Sequence, residues 1–98
     1  MNQYIIDFEL PDQISSDFVR LIPAQRRQIN ELMAEGVILA YALASDRTKV
    51  WAAIVAASED ELNEILQSMP LYSYMEPTVY PLAFYNVAGS GLPLISLN

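Results

Sequence analysis

Along the first ten residues apolar and polar side chains alternate, with Tyr4, Ile6, Phe8 and Leu10 on one side and Asp7 and Glu9 on the other. A repeat of two marks a strand with one covered face, and Pro11 stops it. The period then lengthens. Phe18, Leu21, Ile22, Ile29, Leu32 and Met33 recur at helical spacing, so a helix is expected to open near Ser15 or Ser16 and to close at Gly36. Pro23 lies inside it without an N–H to give the preceding turn, which predicts a kink or a restart with Pro23 in the first turn.

Residues 37–44 and 49–57 are two apolar runs joined by Ser45-Asp46-Arg47-Thr48, the pattern of an antiparallel hairpin. In the first run Val37, Leu39, Tyr41 and Leu43 alternate with Ile38, Ala40, Ala42 and Ala44, so neither face is polar. Strands of that kind are covered on both sides. Ser58-Glu59-Asp60-Glu61 has the form of a capping box and opens a second helix, whose stripe is Leu62, Ile65, Leu66 and Met69. Pro70 ends it. A last strand is expected over residues 74–85, and Pro77 and Pro81 place it at a sheet edge.

The order is βαββαβ, which predicts an α+β fold of the ferredoxin-like kind: a four-stranded antiparallel sheet with two helices on one face. No element remains for the other face. A second copy of the sheet would cover it, giving a dimeric α+β barrel and hence a homo-oligomer. Composition points the same way. With 53% hydrophobic and 17% charged residues in 98, the chain carries more apolar surface than one small domain hides by itself. The domain is expected over residues 1–85. Residues 86–98 are expected to be an arm packed on a neighbouring subunit, because Leu92, Leu94, Ile95 and Leu97 follow the joint Gly89-Ser90-Gly91 with no charge among them.

Charge narrows the function classes. The net charge is -7 and only Arg20, Arg26, Arg27, Arg47 and Lys49 are basic, so no cluster exists for nucleic acid or an anionic membrane. The absence of cysteine and histidine removes disulfides, thiolate catalysis and the usual zinc sites, and neither a metal nor a cofactor is expected. The start of the chain lacks a signal-peptide pattern and no stretch is long enough to span a bilayer, so a cytoplasmic location is expected.

Several stretches together resemble the muconolactone isomerase family. They are Ile6-Asp7-Phe8-Glu9-Leu10-Pro11, Glu31-Leu32 with Gly36, Ser58 with Asp60-Glu61-Leu62, and above all Pro70-Leu71-Tyr72-Ser73-Tyr74-Met75 followed by Val79 and Pro81-Leu82. The resemblance covers residues 3 to about 85. It implies a cofactor-free enzyme that shifts a proton within a small anionic lactone, using a base, an acid, and groups that hold a carboxylate and an oxyanion. It also implies charged groups in the middle of the first helix and basic and aromatic ones along the second strand. Here the chain departs, with Gln25 in the helix and Ala40-Tyr41-Ala42-Leu43 on the strand. An amide is no general base near neutral pH. An oligomeric binding or scaffold domain of the same fold is therefore the competing expectation, and cofactor-independent oxygenase chemistry a third by fold analogy.

The candidate residues follow. Gln25 interrupts the apolar stripe, four positions before Ile29, either as a pocket amide that orients a ligand or as an edge residue bonded to a carbonyl freed at Pro23. Asp7 points away from Ile6 and Phe8 on a central strand, either as a partly buried base or as an ion-pair partner of Arg26, Arg47 or Lys49. Tyr41, Trp51, Tyr72 and Tyr74 wall a substrate pocket or pack as plain core. Arg26 lies nearer the apolar stripe than Arg27, and only one of the two can face a pocket. A catalytic pair Asp7 and Gln25, with Arg26, Tyr41, Trp51 and Tyr74 binding substrate, is the resulting expectation.

Overall fold

The structure, a computed structural model, describes residues 1–88. Its elements are β1 (Asn2–Glu9), α1 (Ser16–Ala34), β2 (Ile38–Leu43), β3 (Lys49–Ala56), α2 (Glu59–Gln67), a single 3-10 turn (Tyr72–Tyr74) and β4 (Glu76–Pro81). The strands form one sheet in the order β2-β3-β1-β4, all pairs antiparallel, so β1 and β3 are interior and β2 and β4 are edges. This is the ferredoxin-like α+β arrangement expected from the residue pattern, with proline-bearing β4 at an edge.

One face of the sheet carries the core. Ile6 lies between Ala52 and Val79 and Phe8 between Val50 and Pro77 in the register of β1 with its two neighbours. Helix α1 lies against β2 and α2 against β3. Phe8, Ile6, Ile38, Ile54, Leu62 and Leu66 are the largest fully buried side chains. Each contributes roughly 1.5–3 kcal/mol on leaving water, before the entropy of ordering it.

The helix termini are built as their residues dictate. Ser15 Oγ accepts from the Phe18 N–H at 3.1 Å. At the other end Gly36 takes φ +76°, the Val37 N–H reaches the Leu32 carbonyl at 2.9 Å, and the Gly36 N–H reaches that of Met33 at 3.1 Å. Those paired bonds require a left-handed residue, which glycine supplies without strain. Ser58 caps α2, its Oγ accepting from the Glu61 N–H at 3.2 Å, while the Glu61 carboxylate accepts from the Ala57 N–H rather than from that of Ser58.

Three features differ from expectation. Helix α1 runs without interruption through Pro23, so no restart occurs. Both Pro23 and Val19, whose carbonyl loses its helical donor, are exposed, and water can meet that carbonyl. The last strand is shorter than residues 74–85, because the Tyr74 and Met75 N–H groups are spent in a turn on the carbonyls of Leu71 and Tyr72. Finally, β2 contains a bulge: Ile38 pairs with Ile54 but Ala40 with Ala53, so Leu39 is an extra residue. The bulge shifts the phase of the strand, and Ile38 and Tyr41 share the helix-covered face although they are three apart.

The other face presents Ile5 and Asp7 of β1, Trp51, Ala53 and Val55 of β3, and Tyr80 of β4. Trp51 is 40% and Tyr80 51% exposed, and no element among the described residues covers them. The expected arm lies outside the described residues except for 86–88, which are exposed.

Candidate functional site

The helical period brings Phe18, Ile22, Gln25, Arg26 and Ile29 toward the sheet, and the bulge in β2 turns Tyr41 up to meet them. Between α1 and this edge strand lie two adjoining cavities of about 340 and 310 Å³. The first is bordered by Phe18, Leu43, Arg47, Val50, Leu71 and Met75, the second by Ile29, Asn30 and Met33. Gln25, Arg26 and Tyr41 line both and so form the saddle between them. Each volume falls in the range of small-molecule pockets, about 300–1,000 Å³.

Gln25 is the chemical centre of this cleft. It is 4% exposed, and no other polar or charged residue described is buried. Its Oε1 accepts from the Leu71 N–H at 3.0 Å, a bond across 46 positions that ties α1 to the turn after α2. That bond fixes the amide: the oxygen faces the backbone and the NH2 faces the cleft. Nε2 is buried and has no hydrogen-bond partner among the described residues. A buried donor left unpaired costs about 1–3 kcal/mol, and native proteins rarely keep one.

Across the saddle, burial pushes the Tyr41 phenol above its ordinary value of 10.0, while the nearby Gln25 amide pulls it the other way by less. That approach falls short of a well-formed hydrogen bond, which is why Nε2 stays unpaired. The phenol is protonated at neutral pH and is a donor, not a base. Arg26 and Arg47 are exposed and set positive charge at the rim. No carboxylate lines either cavity.

Carboxylates gather instead in a neighbouring depression of about 770 Å³, lined by Glu9, Asp12, Asp46 and Glu76 and sharing Leu10, Ile14 and Arg47 with the first cavity. The Asp46 carboxylate is engaged there by the Thr48 hydroxyl at 2.7 Å and N–H at 3.0 Å, which hold it below its usual value. Among the described residues no three histidine, cysteine, aspartate or glutamate side chains are grouped to hold a metal ion.

Of the residues singled out by sequence, Gln25, Arg26 and Tyr41 are brought together. Tyr74 lines neither cavity: it borders the acidic depression, its ring edge-on to Phe18 with centroids 5.7 Å apart. Asp7 and Trp51 are not: they are register partners on the opposite face of the sheet. Asp7 is paired there with Lys49, both oxygens within 3.2 Å of Nζ, and that pairing raises the lysine pKa. The strand alternation itself separates Asp7 from Gln25, since Asp7 faces away from Ile6 and Phe8.

Two residues of the site were missed. Arg47 stands in the hairpin turn at φ +63°, a left-handed position that a short turn demands of some residue. Leu71 contributes only its backbone N–H, for which no local sequence signal exists.

The comparisons with known proteins agree with this architecture. No curated protein sequence matches the chain. Among solved structures it is similar to a muconolactone isomerase determined at 3.3 Å resolution, with a TM-score of 0.71 and 19% identity over 85% of this chain and 90% of that one. The family model described as muconolactone delta-isomerase matches residues 4–87, nearly the whole described chain. This protein belongs to the muconolactone delta-isomerase family.

Proposed function

We propose that this chain binds a small organic molecule in the cleft between α1 and β2, its ligand accepting a hydrogen bond from Gln25 Nε2. The observation that carries this is the buried, unpartnered amide donor facing a cavity of ligand size. An acceptor on the ligand would recover the free energy lost in burying that group, and the surrounding Phe18, Val50, Leu71 and Met75 would receive an apolar body. Tyr41 supplies a second donor.

Family membership favours a second reading, proton-shift isomerisation of a lactone. Its base would have to come from outside the two cavities; Glu9, Asp12, Asp46 and Glu76 line the adjoining depression. Assembly belongs to the proposal as well. The uncovered face with Ile5, Trp51, Ala53 and Tyr80 suits a second copy of the sheet, as a homo-oligomer, with the arm from residue 86 onward on a neighbour.

The test is a thermal-shift screen of the purified protein against small cyclic carbonyl compounds, beside the variant Gln25→Met. A ligand at ten times its Kd stabilises by about 1.4 kcal/mol, roughly 6–11 °C for a domain of this size. The binding account expects a shift of that order that Gln25→Met removes; a ligand that stabilises both equally does not sit on the amide. Following a lactone hit by 1H NMR separates the two readings, since a proton-shift enzyme converts it to its double-bond isomer and a binding protein returns it unchanged.

A further inference from the structure

Two cavities meet at a saddle made by the same three residues, and their walls are unlike. The first, of about 340 Å³, is walled by Phe18, Val50, Leu71 and Met75, all buried and all apolar. The second, of about 310 Å³, runs out between Asn30 and Met33, both exposed. Gln25 and Tyr41 border both, so the unpaired Nε2 and the phenol stand where one cavity passes into the other. Both groups can donate a hydrogen bond, and neither carries charge at neutral pH: the amide does not ionise, and burial keeps the phenol protonated.

Resting on the pocket reading above, we propose that the two cavities are the two arms of one site, and that its ligand is an uncharged carbonyl compound substituted on both sides: a ketone, an ester or a secondary amide. The carbonyl oxygen enters between Gln25 Nε2 and the Tyr41 hydroxyl and accepts from both, using its two lone pairs. One substituent lies in the first cavity. There a charged group would be buried without a partner, whereas an apolar one gains by leaving water. The other substituent passes along Ile29 and Met33 toward Asn30 and solvent. The flexible thioether of Met33 suits a chain of variable length at that end. An aldehyde, with one substituent, fills a single arm and leaves the other empty.

Acetophenone and butyrophenone are both phenyl ketones, and the second has two more methylenes on the far side of the carbonyl. Both are titrated by calorimetry into wild type, Met33→Trp and Asn30→Trp, two exposed positions where an indole narrows only the second cavity. Wild type is expected to prefer butyrophenone about tenfold, the gain from burying two methylenes. Each tryptophan variant should erase most of that preference. The carbonyl itself is read by 13C NMR of acetophenone labelled at that carbon. In wild type the bound resonance should stay at or downfield of its position in water, because two donors replace those of the solvent. Gln25→Met and Tyr41→Phe should each move it upfield, toward its position in hydrocarbon. A butyrophenone preference that survives both tryptophan variants, or a resonance unmoved by Tyr41→Phe, overturns the two-armed site, while a resonance still moved by Gln25→Met leaves the pocket standing. Failure of both ketones to bind wild type overturns the pocket and the two-armed site together.

Discussion

Replacing Gln25 by methionine sets two buried polar groups against each other. The Leu71 N–H loses its acceptor, at a cost of about 1–3 kcal/mol for the stranded donor. In the same step the unpaired Nε2 disappears, which returns a similar amount. The two nearly cancel, so Gln25→Met should change stability by no more than about 1 kcal/mol despite its central position. Gln25→Glu behaves differently. A glutamate oxygen still accepts from Leu71, but a carboxylate is now buried beside Tyr41, with only the exposed Arg26 and Arg47 near enough to compensate. Burial raises its folded pKa above the ordinary value of about 4.3. Below that value both states are protonated and no charge penalty exists. Above it the unfolded chain ionises first, so stability falls by about 1.4 kcal/mol per pH unit until the folded pKa is reached. Urea denaturation followed by Trp51 fluorescence at fixed protein concentration, at pH 4 and pH 7, measures both variants. The expected result is a near-neutral methionine variant at both pH values and a glutamate variant destabilised mainly at pH 7. A loss above about 3 kcal/mol in Gln25→Met would show that the amide donor is satisfied in the folded protein, and the reasoning would fail.

Other expectations follow from the same structure. Pro23→Ala restores a helical donor to Val19 at an exposed site and should stabilise by about 2 kcal/mol in urea titrations, the helix gain less the freedom returned to the unfolded chain. Tyr41 and Lys49 both have raised pKa values, from 10.0 and 10.5. Each therefore keeps its proton longer folded than unfolded, and stability should be level up to about pH 10 and fall as pH rises further, which alkaline melting curves would show. Trp51→Glu puts a charge on the uncovered sheet face; if two sheets pack there, light scattering should find the mass of one chain where wild type gives at least two. An unchanged mass would place the interface elsewhere.

Much of the fold was legible because its signals are local. Ser15, Gly36 and Ser58 mark helix ends by their own chemistry, and the alternation around Ile6 and Phe8 separates the two faces of β1. The run Ile38-Leu39-Ala40-Tyr41-Ala42-Leu43 offered no such phase. With apolar residues at every position, nothing in it shows where the extra residue of a bulge falls, so Tyr41's company with Ile38 emerged only from pairing with β3. Gln25 stood out as polar in an apolar stripe, yet its partner is a backbone N–H 46 residues away, contributed by the segment just after the second helix. Asp7 was placed on the correct side of its strand, and Lys49 was among its named partners. Its distance from Gln25 was implicit in that alternation, since the two lie on opposite sides of the sheet. Pro23 left a restart open that did not occur, because α1 tolerates the one lost donor within a helix held on both sides of it by Phe18, Gln25 and Ile29.

A 1H–15N NMR titration of the protein with a cyclic carbonyl compound that stabilises it, reading the Gln25 side-chain NH2 pair, is the most direct measurement. Gln25→Met assigns that pair by removing it from the spectrum. The cleft account predicts a saturable shift of both Gln25 side-chain protons, moving with the Leu71 and Tyr41 backbone amides and leaving Asp7, Trp51 and Thr78 in place. A Gln25 pair that stays fixed while residues of the outer sheet face or of the acidic depression shift would contradict it.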